Sequence, residues 1–179
     1  MEFKFQKRRG IGNVITTLII LIASVVLGAG VIFFGGSMFQ TNTQSESIKI
    51  SNVHSWVTSA GDATTAFVVQ NTGSKAVTVS SISLRGVSVP TASWFYTINN
   101  NQTTLQTELG VDHTEINVSI GGVATVMSTG SMSLAQGEAA IVYLDEAGNI
   151  NSIDAGNTYS LQIQAGQATA VQQVQVVTG

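Results

Sequence analysis

Four short segments carry side chains capable of chemistry. Asp112-His113-Thr114-Glu115 offers carboxylates and an imidazole, the donors a divalent metal takes. On a strand, residues 113 and 115 face one side and 112 the other, and two ligands at that spacing do not make a site. Asp145-Glu146-Ala147-Gly148-Asn149-Ile150-Asn151 sets oxygen ligands around a glycine. It lacks the full D-x-D/N-x-D/N-G order and the distal glutamate of a calcium loop, so it reads as a turn. His54 stands beside Trp56 and reads as a packed or interfacial residue. Trp94-Phe95-Tyr96 could form an aromatic patch, but strand alternation assigns it to core and surface in turn. The sequence has no nucleophile elbow, P-loop or dinucleotide fingerprint. It has no cysteine, which removes disulfides, thiolate metal sites and cysteine nucleophiles. No catalytic residue, metal site or cofactor is expected, and the function must lie in assembly or binding.

Two kinds of covalent processing remain. Asn101-Gln102-Thr103 and Asn117-Val118-Ser119 are N-x-S/T sequons, which make Asn101 and Asn117 candidate glycan sites in an exported chain. At the amino terminus, Lys7-Arg8-Arg9-Gly10 passes directly into Ile11-Gly12-Asn13 and then a long apolar run.

That run sets the organisation of the chain. Only 9% of the 179 residues are charged, against about 25% in an average domain, and 36 residues between Arg9 and Glu46 carry none. Val14–Phe34 is 21 residues long and holds fourteen Val, Ile, Leu or Phe, close to the ~20 that span a bilayer as a helix. At roughly 0.3–0.6 kcal/mol each, they favour insertion by about 4–8 kcal/mol before the polar positions are counted. Lys4, Lys7, Arg8 and Arg9 should keep the amino terminus cytoplasmic and place the rest outside. From Ile11 onward there are three basic residues against nine acidic ones, net −6, which disfavours a nucleic-acid partner. The apolar run is too long for a secretory signal of 7–15 residues, and a plain single-span anchor is the bland alternative.

The K-R-R-G junction abutting an apolar span resembles the class III signal of type IV pilin-like proteins, especially archaeal pilins and archaellins. That resemblance implies cleavage between Gly10 and Ile11 by a dedicated prepilin-type membrane peptidase, with the apolar helix kept in the mature subunit. Bacterial members usually carry glutamate at the fifth mature position. Here that position is Ile15, which suits the archaeal branch. The resemblance also implies the partners: further copies of the chain in a homo-oligomeric filament, the peptidase, an assembly ATPase and a membrane platform protein.

The parts follow in order. Residues 1–10 form the leader, 11–40 the membrane or filament-core helix, 41–50 a polar hinge, and 51–179 an extracellular β domain. The helix is apolar nearly all round and must be covered on every face. Ser24, Gly28 and Gly30 would let helix backbones approach closely. Beyond the hinge the period becomes two. Phe67–Gln70 and Lys75–Val79 flank Asn71-Thr72-Gly73-Ser74 and read as a hairpin. Ile82 and Leu84 are out of phase with Val77 and Val79, which places a bulge at Ser80-Ser81. Ala139–Leu144 reads as a central strand. Leu161, Ile163 and Ala165 alternate with glutamines before a turn at 165–167 and a last strand at Val171–Val177. Short strands broken by Gly and Asn predict a mainly β fold, an antiparallel immunoglobulin-like β-sandwich on the long helix. The N-T-G-S and S-L-A-Q-G-E segments also look like archaellin and archaeal pilin β domains. The leading expectation is a structural subunit of an archaeal type IV pilus-like filament, an archaellum or an adhesive pilus. The precursor would sit in the membrane and the mature form outside the cell. The alternative is a membrane-anchored extracellular binding module that does not polymerise.

Overall fold

The computed structural model describes residues 7–42, 45–107, 109–110, 113–114, 117–120, 122–145 and 150–179, with backbone alone for 7–11, 37–42, 113–114 and 117. The chain divides into two compact units, Met1–Thr43 and Gln44–Gly179. The first contains one helix, α1 (Lys7–Asn42). No proline interrupts it, and its Leu, Ile, Val and Ala content sustains a helix wherever water is excluded. It begins ahead of Ile11, so the Gly10–Ile11 junction lies within its first turns.

The second unit is mainly β. Its elements are β1 (Ile48–Val57), β2 (Ala63–Asn71), β3 (Val77–Leu84), β4 (Val87–Ser88), β5 (Trp94–Ile98) and the short helix α2 (Gln102–Gln106). There follow β6 (His113–Thr114), β7 (Asn117–Ile120), β8 (Val123–Val126), β9 (Ser128–Thr129) and β10 (Ser133–Leu134). The last three are β11 (Ala139–Asp145), β12 (Thr158–Ala165) and β13 (Ala168–Thr178).

These strands do not form the expected antiparallel immunoglobulin-like sandwich. Nine stand in one hydrogen-bonded line, β10-β3-β12-β13-β1-β2-β11-β5-β9, with β4 attached to β3. The sheet is mixed, because β1 pairs β13 in parallel while the other neighbours are antiparallel. It curls as a half-barrel. One segment bridges its two ends: Ser128–Thr129 pairs β5, and only three residues later Ser133–Leu134 pairs β3. A parallel pair between the first and last strands has no local signature, since the strands lie more than 100 residues apart, and it is this pair that makes the sheet continuous.

The curled interior holds Ile50, Phe67, Val79, Ile82, Trp94, Leu161, Ile163 and Val176, all buried. A second cluster lies behind β2, β11 and β5. There Ala66, Val68, Phe95, Ile141 and Tyr143 meet Leu105 of α2, Leu109, Met127, and Val118 and Ile120 of the three-stranded sheet β6-β7-β8. Strand β11 is therefore covered on both faces, which explains its unbroken apolar run. It lies between β2 and β5, the central position its composition indicates. Covered faces also correct the aromatic patch: Trp94 points into the first cluster and Phe95 into the second, so neither is an adhesive surface.

The bulge is where the phase slip places it. Val77, Val79, Ile82 and Leu84 are all buried. The register against β12 jumps from Ser81↔Gln164 to Val79↔Ala165, leaving Ser80 unpaired across the ladder. The clean alternation of β12 is present as read; the turn after it is Gly166–Gln167, and the final strand starts three residues earlier than read, at Ala168.

The N-T-G-S hairpin is overturned. Strands β2 and β3 do not pair; β13, β12 and β1 stand between them in the sheet, and the segment is a corner. Its centre is Asn71, fully buried. The Asn71 amide donates to the carbonyls of Lys75 (2.6 Å), Leu134 (3.0 Å) and Ala135 (3.1 Å), and its Oδ1 accepts from the Gly73 N–H (2.9 Å). Turn composition was legible here, but the partner strands were set by tertiary pairing.

Asn71→Ala would remove the side-chain bonds to the Lys75 and Leu134 carbonyls and leave the Ala135 carbonyl and the Gly73 N–H with only their backbone partners, Glu138 and Ser47. A loss of about 2–4 kcal/mol is expected in denaturant unfolding of the full-length chain, against under ~1 kcal/mol for the exposed Thr72→Ala.

Candidate functional site: the apolar stem and the polar anchors of the β domain

All fourteen large apolar side chains of Val14–Phe34 are exposed on α1, including Val14 (63%), Leu27 (70%) and Phe33 (83%). Gly12–Gly36, 25 residues, is long and apolar enough to cross a membrane, and none of it is buried. Its length and composition are those of a signal sequence or membrane anchor. The hydroxyls are satisfied within the helix: Thr16 donates to the Gly12 carbonyl (2.8 Å), Thr17 to Asn13 (3.0 Å), and Ser24 to Ile20 (2.7 Å). Such back-bonding lets hydroxyls enter hydrocarbon without an outside partner.

Gly28 and Gly30 lie on open surface, where an added Cβ would meet nothing within 4 Å. Each costs about 1 kcal/mol of helix propensity relative to Ala, and among the described residues no close contact requires either. Ser24 lies one turn before Gly28. Lys7, Arg8, Arg9, Gly10 and Ile11 all belong to α1.

Among the sequons, Asn101 is exposed and caps α2, its Oδ1 accepting from the N–H of Thr103, the sequon threonine (3.0 Å). Asn117 opens β7, opposite Thr114 and Val126. The two sequons therefore belong to the layer that covers the second cluster. Of Asp112-His113-x-Glu115, positions 112 and 115 lie outside the described residues, as do 146–149 of the acidic loop. Among the described residues no three His, Cys, Asp or Glu gather in a metal-binding group. His54 stacks on Trp56, with ring centroids 5.5 Å apart and planes 13° from parallel, and its Nε2 pairs with Asn52 Oδ1 (2.9 Å).

One constellation was missed by sequence reasoning. Asp154, 4% exposed, receives Arg85 through both carboxylate oxygens (3.0 and 3.1 Å), the Tyr159 hydroxyl and the Asn151 N–H (3.0 Å). The Arg85 guanidinium also lies 4.8 Å over the Tyr159 ring. Arg85 adopts φ 55° at the β3–β4 turn, which aims it across the strand ends. The Tyr159 hydroxyl bond, then the Asn151 N–H and the Arg85 charge, hold the Asp154 carboxyl below its ordinary value, while burial opposes them. The bond to Asp154 in turn raises the Tyr159 phenol. Arg85-Gly86 signals a turn in the sequence, but nothing local links it to an aspartate 69 residues on. This cluster joins the β3–β4 turn to the start of β12; its groups are all engaged with one another, as structural anchors are.

No family model matches the chain, and no curated protein matches it. Among solved structures, a family 123 glycoside hydrolase from Clostridium perfringens, studied for glycolipid glycan hydrolysis, is similar at 13% identity with a TM-score of 0.30. The match covers 70% of this chain and 22% of that one. A likeness that low carries no argument about fold or activity. What the structure itself gives is an order of parts, a long apolar helix followed by a β-sheet domain, in agreement with type IV pilin-like architecture.

Because the folded-state carboxyl of Asp154 is depressed, its contribution is complete above the unfolded value of about 4 and is lost as pH falls below it. Asp154→Asn should lower stability near neutral pH and flatten the acid limb of the stability curve. Denaturant melts from neutral pH to about pH 2 would check both.

Proposed function

We propose that the chain is the structural subunit of an archaeal type IV pilus-like surface filament, an archaellum or an adhesive pilus. The carrying observation is the stem: fourteen large apolar side chains exposed along one helix long and apolar enough to cross a membrane. Before assembly, lipid covers them. After cleavage between Gly10 and Ile11, copies of the same helix take the place of lipid, and the β domains form the outer layer. Both surroundings are apolar, so the exchange costs little hydrophobic free energy. Close backbone approach at Ser24, Gly28 and Gly30 then favours helix over lipid. The partners are other copies, the processing peptidase, an assembly ATPase and a platform protein. The mechanism is assembly without turnover, and it needs no cofactor.

A single-span anchored module that does not polymerise would use the same stem. Intact-mass analysis of the native protein separates the two. Filament subunits should begin at Ile11 and appear in sheared extracellular material; an uncut chain confined to the membrane fraction would establish the anchor instead. Gly10→Val should keep the leader and abolish filaments. Gly28→Leu should leave processing intact yet reduce filaments roughly tenfold, the effect of about 1.4 kcal/mol lost per subunit. Wild-type filament yield in both variants would defeat the reading.

A further inference from the structure

The chain joins its β domain through Ser45–Ser47, and this strap is tied on two sides. On one side the N–H groups of Thr72 and Gly73 both donate to the Ser47 carbonyl (2.9 and 3.0 Å), and that of Ser74 donates to the Ser45 carbonyl (2.9 Å). The Thr72 hydroxyl adds a bond to the Ser47 hydroxyl (2.9 Å). On the other side the Glu46 carboxylate accepts the Gln167 N–H (2.6 Å) in the β12–β13 turn. The fit at residue 73 excludes a side chain: a Cβ there would stand 2.5 Å from the Ser45 carbonyl oxygen and 2.7 Å from the Ser47 nitrogen.

From Ser47 the chain runs straight into β1, which lies between antiparallel β2 and parallel β13. First and last strands of the domain thus lie side by side and point the same way. They start at the strap and finish at the opposite pole, where the Gly179 N–H donates to the Val57 carbonyl (3.0 Å). The register break in β1 between Ser51 and His54 is held as well. Asn52, at φ 51°, donates its amide to the Thr107 carbonyl (2.7 Å) and pairs with His54.

We propose that the strap and the β1–β13 ladder form a shear clamp that carries tension arriving through the amino-terminal stem. Ladder bonds run across the strands. A pull on the start of β1 against the end of β13 acts along the strands, so the bonds between them are loaded together. A pull between two points at the strap pole instead loads them one after another. The filament reading supplies only the source of the tension; the resistance belongs to the single chain.

The cysteine-free sequence makes introduced cysteines unique handles. Full-length, unassembled chains in detergent would be pulled between Asn42→Cys and a cysteine added after Gly179, and separately between Asn42→Cys and Gln136→Cys. Unfolding is expected to need roughly twofold more force in the first geometry. In that geometry Gly73→Ala should lower the force, and so should Glu46→Gln, which adds no atoms and keeps the fold if the alanine variant does not. Equal forces in the two geometries, or an unchanged force in Glu46→Gln, would overturn the clamp. Chains that fail this test would leave filament assembly untouched, and absence of filaments would leave the single-chain force untouched.

Discussion

The stem's apolar surface is the constraint on which everything else depends. A helix with a polar face can lie against its own domain; one that is apolar all round cannot finish folding within a single chain. Its backbone bonds are internal, and its three described hydroxyl donors, Thr16, Thr17 and Ser24, return to carbonyls of the preceding turn. These hydroxyls therefore do not prevent it from leaving water. Lipid and like helices are the surroundings that cover such a surface, and the choice between them falls to shape. Gly28 and Gly30 are open to the outside, where a glycine brings a propensity penalty and, among the described residues, no intrachain benefit. In the filament proposed above, a backbone approaching from another copy supplies the benefit.

The β domain complements this by completing its own interior. Its two clusters share no residue with the stem, and the second is sealed by α2 and the β6–β8 sheet. Open sheet edges invite pairing between chains. Here the edges of the main sheet are short, because β9 and β10 occupy both ends and belong to one bridging segment. Short edges of this kind disfavour edge-to-edge pairing of the domain.

Local patterns carried much of this structure and long-range pairing carried the rest. The stem, the β12–β13 hairpin and the Ser80 bulge are each encoded within about ten neighbouring residues, and each was readable. A one-residue slip in hydrophobic phase has one physical meaning, an extra residue on one strand. By contrast, Asn71-Thr72-Gly73-Ser74 encodes a change of direction without saying whether the flanking strands pair. Its buried asparagine bonds to Leu134 and Ala135, more than sixty residues away, and those contacts make it a corner. The parallel β1–β13 pair and the Arg85–Asp154–Tyr159 anchor are equally non-local. For the site, the apolar span was legible because length and hydropathy are read from linear sequence. The strap was not, since Gly73 looks like any turn glycine until Ser45 is placed against it.

The scarcity of charge acquires a meaning from where the charges sit. Glu46 accepts from Gln167, Glu138 from the Ala135 N–H (2.8 Å), and Asp154 from Asn151, Tyr159 and Arg85. In this charge-poor domain these carboxylates fasten turns and strand ends, and solvation of the outer sheet passes to neutral groups. On β12 the exposed row is Thr158, Ser160, Gln162 and Gln164, and on β13 Thr169, Gln173 and Gln175 alternate with the exposed Val171 and Val177. Salt screens exposed charges that lie more than about a Debye length apart, screens partly buried pairs much less, and leaves neutral amide and hydroxyl hydrogen bonds largely alone. A domain built this way keeps charge in local, partly shielded anchors and presents an outer face whose hydrogen bonding varies little with ionic strength.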